Sequence, residues 1–310
     1  MLSRRSVRIK VMQLLFALGR DQHLDKSAVV ERYDELVNQS YQMTLFNLFV
    51  LMRVAEKSEE DQVKRKGKHL PSEYDKNFSA IIYHNALMSS LVENELLDKY
   101  FKSKDFASKV DEDLILKIYK NFAKEELYKD YVIKPDKTDD DHKLMILELS
   151  KFVRKNEHFL EMVSDHFTNW YDDSSLVIGT MKKMIKSLPK SDDFYQAHLP
   201  DPEKVDFGRE LLKVCVDEDQ QYHEIIEPTL KNWDSERLAI IDMILLKMAL
   251  SEFLNFKTIP TKVTLNEYVE IAKLYSTPKS KDFINGILDR LMKQLTNEGK
   301  IAKEGRGLVE

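Results

Sequence analysis

Apolar residues recur at helical spacing along most of the chain. The first such segment is predicted to form a helix over about residues 3–18, ended by Gly19. Its apolar positions share one face: Val7, Val11, Leu14, Leu15 and Leu18. The last segment has the clearest stripe: Phe283, Ile284, Ile287, Leu288, Leu291, Met292 and Leu295. No segment alternates with period two, so the pattern predicts an all-α fold with essentially no sheet.

Between these helices the pattern predicts further helices and three breaks. Helices are expected over about residues 28–56, 73–102 and 111–129, and again at residues 207–216 and 222–230. The breaks are a loop or frayed end at residues 57–71 and linkers at residues 134–141 and 189–206. A capping-box pattern at Thr264–Glu267 predicts the start of another helix.

An internal repeat follows the first linker. A shift of 63 positions carries Asn169-Trp170 onto Asn232-Trp233 and keeps the apolar register without a gap. Each copy is predicted to be a helix, a short break at the tryptophan and another helix. Residues 141–188 therefore look like a degenerate copy of residues 204–251, although shared helical periodicity alone could produce part of this match.

Composition indicates a globular helical protein. Hydrophobic residues make up 43% and charged residues 33% of the 310, with only eight Gly and eight Pro. No run of about 20 apolar residues predicts a membrane span, and the single Cys215 lies in an apolar run, so we expect a cytoplasmic protein with a buried thiol. The net charge is −5, yet residues 1–10 contain four basic and no acidic residues.

Three segments together resemble one family. Residues 259–290 read IPTKVTLNEYVEIAKLYSTPKSKDFINGILDR and are similar, without a gap, to the most characteristic stretch of the NusB family. Leu246–Phe253 resembles the family's Leu-Arg-x-Ala-x-x-Glu-Leu helix, with Lys247 and Phe253 as departures. Arg4–Arg8, with Gln13, Leu15 and Phe16, resembles its arginine-rich first helix.

The resemblance implies a NusB-like helical bundle with an additional inserted helical region. Residues 1–20 would form the first helix of that core, and residues 205–296 its remainder. Residues 21–204 would be the insertion, and residues 297–310 a flexible tail.

The resemblance and the charge pattern together predict an RNA contact at the first helix. Arg4, Arg5 and Arg8 occupy its first turns, where the helix dipole disfavours cations by roughly 0.3–1 kcal/mol each. Arginine there suits a phosphate or a base, because guanidinium binds in a bidentate manner and stacks. A solvated basic terminus is the alternative.

A second RNA contact is predicted around the last turn and helix, at Lys279, Ser280, Lys281 and Phe283. The alternative is that Ser280 caps the helix and Phe283 is core. We expect Asn285-Gly286 to allow close packing of the first helix on the last, which would join both contacts in one surface. Lys262 and Lys273 extend this basic field, and residues 57–71 are an alternative second RNA contact.

The implied function is transcription antitermination: binding of boxA-type single-stranded RNA of ribosomal RNA operons with NusE, a small-subunit ribosomal protein, and joining of the RNA polymerase elongation complex. Asp242 and Lys247 are the predicted partner-binding residues. No enzymatic, cofactor or metal motif is present, and Asp139–His142 is read as a solvated loop. The alternatives are a helical protein-interaction scaffold without RNA binding, or an accessory domain related to ribosomal RNA cytosine methyltransferases.

Overall fold

The computed structural model describes residues 2–21, 25–190, 193–230 and 239–304. Its regular secondary structure within these ranges is helical and includes no strand, which confirms the all-α prediction. Among the described helices, none combines the length and the apolar character needed to cross a membrane.

The helices follow one another with short connections. Up to residue 187 they are α1 (Arg4–Arg20), α2 (Lys26–Lys66), α3 (Glu73–Asn77), α4 (Ile81–His84), α5 (Ala86–Val92), α6 (Glu95–Ser103), α7 (Glu112–Phe122), α8 (Glu126–Ile133), α9 (Asp139–Val153), α10 (Glu157–His166) and α11 (Trp170–Ser187). Beyond it they are α12 (Pro202–Asp217), α13 (Asp219–Ile226), α14 (Ile240–Asn255), α15 (Thr261–Tyr275) and α16 (Ser280–Asn297). Short 3₁₀ turns cover Ala107–Lys109, Phe194–His198 and Glu227–Leu230.

The chain divides into two compact units. The terminal unit consists of Leu2–Val37 and Pro200–Glu310, and the middle unit of Asn38–Leu199. The predicted core ended at residue 20 and resumed at residue 205, so the terminal unit is larger at both junctions. The first turns of α2 belong to it because Tyr33 is fully buried there and its hydroxyl donates to the carbonyl oxygen of Val205 at 3.0 Å.

Two predicted breaks are present but shorter than expected. The stretch from Lys57, predicted to be a loop, continues α2 as far as Lys66. Ion pairs one turn apart stabilise this helix, among them Lys57–Glu60 and Arg65–Asp61. The aspartates predicted to lie in a linker form the first turn of α9, because Thr138 and Asp141 make a reciprocal capping box.

The capping-box prediction at Thr264 is wrong. Helix α15 begins at Thr261 after Pro260, so Thr264 and Glu267 lie inside the helix. Their side chains serve tertiary contacts instead, since the Thr264 hydroxyl donates to Glu252 and Glu267 pairs with Arg5.

The helix order is in register with the proposed repeat. A shift of 63 positions carries Asp139–Val153 onto residues 202–216, which is the extent of α12 less one residue. It carries α10 onto residues 220–229, over α13 and the following 3₁₀ turn. Asn232-Trp233 lies outside the described residues, and the duplication stays a prediction.

Candidate nucleic-acid interface

Arg8 is buried where α1 meets α14 and α15. Its Nε and Nη2 donate to the two carboxylate oxygens of Glu252 at 2.7 and 2.8 Å. The hydroxyls of Thr264 and Tyr268 donate to the same carboxylate at 3.1 and 2.6 Å. The side chain of Arg8 is 2% exposed and that of Glu252 is 0% exposed. The carboxylate is therefore saturated by three residues from two other helices.

The buried guanidinium of Arg8 keeps its charge. Burial by itself lowers the pKa of Arg8, but the hydrogen bonds and charge of Glu252 outweigh it and raise that pKa above its usual value. Burial raises the pKa of Tyr268 well above its usual value, and the Glu252 carboxylate adds to the effect. Arg8 also lies over the rings of Phe207 and Tyr268, at 5.2 and 5.8 Å from their centroids.

The position of Arg8 corrects one prediction. Its guanidinium was expected to contact RNA, but it presents almost no surface to solvent and its bonds are made inside the protein. We assign Arg8 to the positioning of α1.

Arg4 and Arg5 are the accessible arginines at the start of α1. Arg4 pairs with Glu203 at 2.8 Å, and Arg5 binds Glu267 through Nε and Nη2 at 2.9 and 2.8 Å. Their side chains are 38% and 43% exposed. The hydrogen bond from Arg5 is the main cause that lowers the pKa of Glu267. Both arginines are thus held in place, but at the surface.

These arginines border an open pocket of about 470 Å³, here called the arginine pocket. It lies between the first turn of α1 and the segment that leads into α15; its lining is Ser3, Arg4, Arg5, Arg8, Thr258, Ile259, Pro260, Val263 and Glu267. The three arginines face three paired glutamates, so the local charge is nearly balanced. Exposed ion pairs contribute only about 0–1 kcal/mol each, so a phosphate can replace the carboxylates of the two exposed pairs.

The second predicted contact is divided between surface and interior. Ser280 is the first residue of α16; its hydroxyl donates to Asp242 at 2.8 Å, and that of Ser276 donates to the same carboxylate at 2.6 Å. Ser280, Asp242 and Phe283 are 2%, 4% and 8% exposed. The structure therefore places these three side chains inside, whereas Lys279 and Lys281 are exposed.

Lys247, the other predicted partner contact, is also largely covered. Its ammonium pairs with Asp219 at 2.6 Å, and its side chain is 13% exposed. Asp242 and Lys247 therefore present little surface to a partner. Nearby, Cys215 is buried as predicted, and burial raises the pKa of its thiol to about 12.

The two predicted RNA contacts are not directly adjacent. Arg8 binds Glu252 and Ser280 binds Asp242, and these two acids are ten residues apart on α14, which is about 15 Å along the helix. The expected close packing at Gly286 is also wrong, because Gly286 is exposed and an added Cβ there would meet nothing within 4 Å.

Three residues that bind Arg4 or surround Arg8 were not identified from the sequence. Glu252 lies in a largely apolar helix, and a carboxylate among the apolar positions of such a helix is a signal for a buried partner. Tyr268 follows Glu267 in the recognised motif but was not singled out as a site residue. Glu203 gives no signal, since it is one acid in a polar linker.

Asp141 and His142 of the Asp139–His142 sequence are engaged within the protein. Asp141 caps α9 and pairs with Lys134, and His142 makes a 2.8 Å hydrogen bond with the Tyr131 hydroxyl. Over the described ranges, no group of three or more His, Cys, Asp or Glu side chains is arranged to hold a metal ion.

Comparison with known proteins extends this picture of an all-helical protein with an arginine-bearing first helix. The NusB family model matches residues 180–293. The chain is 42% identical over 109 residues to the transcription antitermination protein NusB of Salinibacter ruber, a match that covers 35% of this chain and 68% of that protein. The chain belongs to the NusB family.

Other relatives have the same name. The NusB of Chloroherpeton thalassium is 40% identical over 105 residues, covering 34% of this chain and 50% of that protein. The NusB of Natranaerobius thermophilus is 47% identical over 76 residues, covering 24% and 55%. A solved structure of T. maritima NusB is 30% identical and covers 34% of this chain and 77% of that chain, with a TM-score of 0.29. Residues 1–179 lie outside the family match.

Proposed function

We propose that this protein is a transcription antitermination factor that binds boxA-type single-stranded RNA of ribosomal RNA transcripts together with NusE, and that the assembly joins the RNA polymerase elongation complex. The observation that carries the proposal is the 42% identity to a relative named as a transcription antitermination protein. The mechanism is assembly rather than catalysis.

The arginine pocket supports the RNA part of the proposal. Arg4 and Arg5 exchange the exposed carboxylates of Glu203 and Glu267 for RNA phosphates or bases. The buried pair of Arg8 with Glu252 fixes the first turn of α1, so both exposed guanidiniums are positioned before RNA arrives.

Lys279 and Lys281 form a second basic patch in the terminal unit. They stand at the Asp242 end of α14, about 15 Å along that helix from the Glu252 end. An extended single strand can contact both ends, whereas a compact ligand cannot. The proposed path of the RNA therefore runs from the arginine pocket toward the start of α16, with affinity from phosphate contacts that falls with salt.

The test is fluorescence anisotropy with a labelled boxA-type RNA and a scrambled RNA, each with and without NusE. Wild type is compared with Arg4→Glu/Arg5→Glu. Arg209→Glu is the control, because Arg209 lies in the same unit, is 39% exposed and also pairs with carboxylates. We expect a preference for the boxA-type RNA, strengthened by NusE, lost in the double variant and kept in the control.

Equal binding to both RNAs, or no binding with NusE present, would overturn the proposal. The balanced charge at the arginine pocket favours one alternative in that case, a helical scaffold that contacts only proteins. Binding that survives Arg4→Glu/Arg5→Glu would keep the function but place the RNA elsewhere.

A further inference from the structure

A groove of about 290 Å³ lies in the middle unit, between the last turns of α2 and the second half of α7. Basic side chains line both walls: Lys57, Lys64 and Arg65 from α2, and Lys120 and Lys124 at the end of α7. The floor contains Leu116 and Ala123. Residues 57–66 are helical, so these cations have fixed spacing on a rigid element.

Two acids also line the groove, but both are already neutralised. Lys57 pairs with Glu60 at 3.1 Å, and Arg65 pairs with Asp61 at 3.0 Å. The hydrogen bond from Lys57 is the main cause that lowers the pKa of Glu60, so this acid stays ionised and paired.

Two cations of the groove remain unpaired among the described residues, and a third is weakly paired. Lys120 and Lys124 are exposed and form no ion pair with another described residue. Lys64 is 65% exposed and has only a 3.5 Å contact with Glu60. Opposite walls of the groove therefore present ammonium groups that a chain of phosphates can reach together.

Lysines near the C-terminus of a helix can also have a purely structural role. A second pair of lysines in this chain provides a control for that role. Cations near a helix C-terminus are stabilised by about 0.3–1 kcal/mol through the helix dipole. Lys151 and Lys155 flank the end of α9 at the same spacing as Lys120 and Lys124 flank the end of α7. Lys151 pairs with Glu148, and neither residue of that pair lines this groove. The α9 lysines are therefore a matched control.

We propose that this groove, the cationic groove, binds the sugar–phosphate backbone of single-stranded RNA without sequence preference. The identity of the polyanion as RNA rests on the proposed function. Sequence preference is not expected, because the aromatic ring in the lining, Tyr119, is 3% exposed and its hydroxyl bonds to Asp61 at 3.0 Å. It cannot stack on bases, so phosphate contacts supply the affinity.

The test measures binding of the full-length protein to an unstructured 20-nucleotide RNA without a boxA-type element, over a range of salt concentrations. Lys120→Glu/Lys124→Glu is compared with wild type and with Lys151→Glu/Lys155→Glu. Loss of two phosphate contacts should lower the log–log salt slope by about 1.4 and the affinity at 0.1 M salt by about 25-fold. The α9 variant should bind like wild type, and circular dichroism checks that all proteins are folded.

A short boxA-type RNA measured in parallel separates this inference from the proposed function. The inference holds when Lys120→Glu/Lys124→Glu weakens the non-boxA RNA and leaves the short boxA-type RNA unchanged. Equal weakening by both lysine pairs, or no weakening by either, would overturn it. Loss of boxA preference with retained binding to the 20-nucleotide RNA would contradict the proposed function but not the inference about the cationic groove.

Discussion

Arg5 and Arg8 lie one turn apart on α1, and each binds a glutamate through two nitrogen atoms, yet their surroundings differ. Arg8 and Glu252 are 2% and 0% exposed, whereas Arg5 and Glu267 are 43% and 22% exposed. Buried pairs are strongly destabilised when one partner is removed, while exposed pairs contribute about 0–1 kcal/mol. The same chemistry therefore supports the fold at one position and leaves a guanidinium available at the other.

The largest expected effect comes from breaking the buried pair. Arg8→Ala should lower the free energy of unfolding by about 3–5 kcal/mol, because Glu252 would remain buried without its partner. Urea unfolding followed by circular dichroism measures it. Arg5→Ala serves as the control and should lower stability by less than about 1 kcal/mol. Similar losses in the two variants would contradict the contrast.

Gly208→Ala tests how much the close packing of α1, independent of its ion pairs, contributes to stability. A Cβ at Gly208 would lie 2.1 Å from the Tyr33 hydroxyl and 2.2 Å from Cγ1 of Val7, the neighbour of Arg8. We expect a loss of about 1–3 kcal/mol in thermal or urea unfolding from overpacking. The control is Gly19→Ala, where an added Cβ meets nothing within 4 Å, so unchanged or slightly higher stability is expected.

Glu267→Gln tests the contrast between the buried and the exposed pair by measuring RNA affinity. Removing the carboxylate that holds Arg5 should tighten RNA binding about fivefold, since an exposed pair worth up to about 1 kcal/mol no longer competes with phosphate. Anisotropy titration with the boxA-type RNA reports it. Glu210→Gln, a change of the same type at an exposed acid of α12, should leave binding unchanged. Weaker binding by Glu267→Gln would instead show that Glu267 orients Arg5 for RNA.

The smallest expected effect is a pH dependence. The pKa of Glu267 is lowered in the folded protein, chiefly by the hydrogen bond from Arg5, so its stabilising contribution is complete above its ordinary value near 4.5. That contribution is lost as the pH falls through the lowered folded pKa. The stability difference between wild type and Glu267→Gln should therefore shrink between pH 7 and pH 3, from a starting value below about 1 kcal/mol. A difference that grows on acidification would contradict the assignment.

Much of the fold followed from the sequence, and the two misplaced helix boundaries have a common cause. Apolar stripes located α1 and α16, and the burial of Cys215 followed from its apolar run. The breaks predicted at residues 57–71 and 134–141 were too long because dense charge was taken to mean solvated loop. In the structure those charges pair one turn apart or cap a helix, so they stabilise helices instead.

The candidate site was less accessible to sequence reasoning. The arginine cluster at the start of α1 was visible as basic residues in an unfavourable helix position. Its division into a buried member and two exposed members was not visible, because Glu252 is 244 residues from Arg8 along the chain. The distance between the two predicted RNA contacts was not visible either, since it depends on which residues of α14 bind Arg8 and Ser280.

By itself the sequence determined the helical class, the family motif and the presence of arginines on the first helix, because these depend on local periodicity and on residue types at short spacing. Only the tertiary structure decided which arginine is buried, which polar residues of α16 face inward and where the middle unit begins. Those outcomes depend on contacts between distant helices, and burial changes the energy of an ion pair far more than the identity of its residues does.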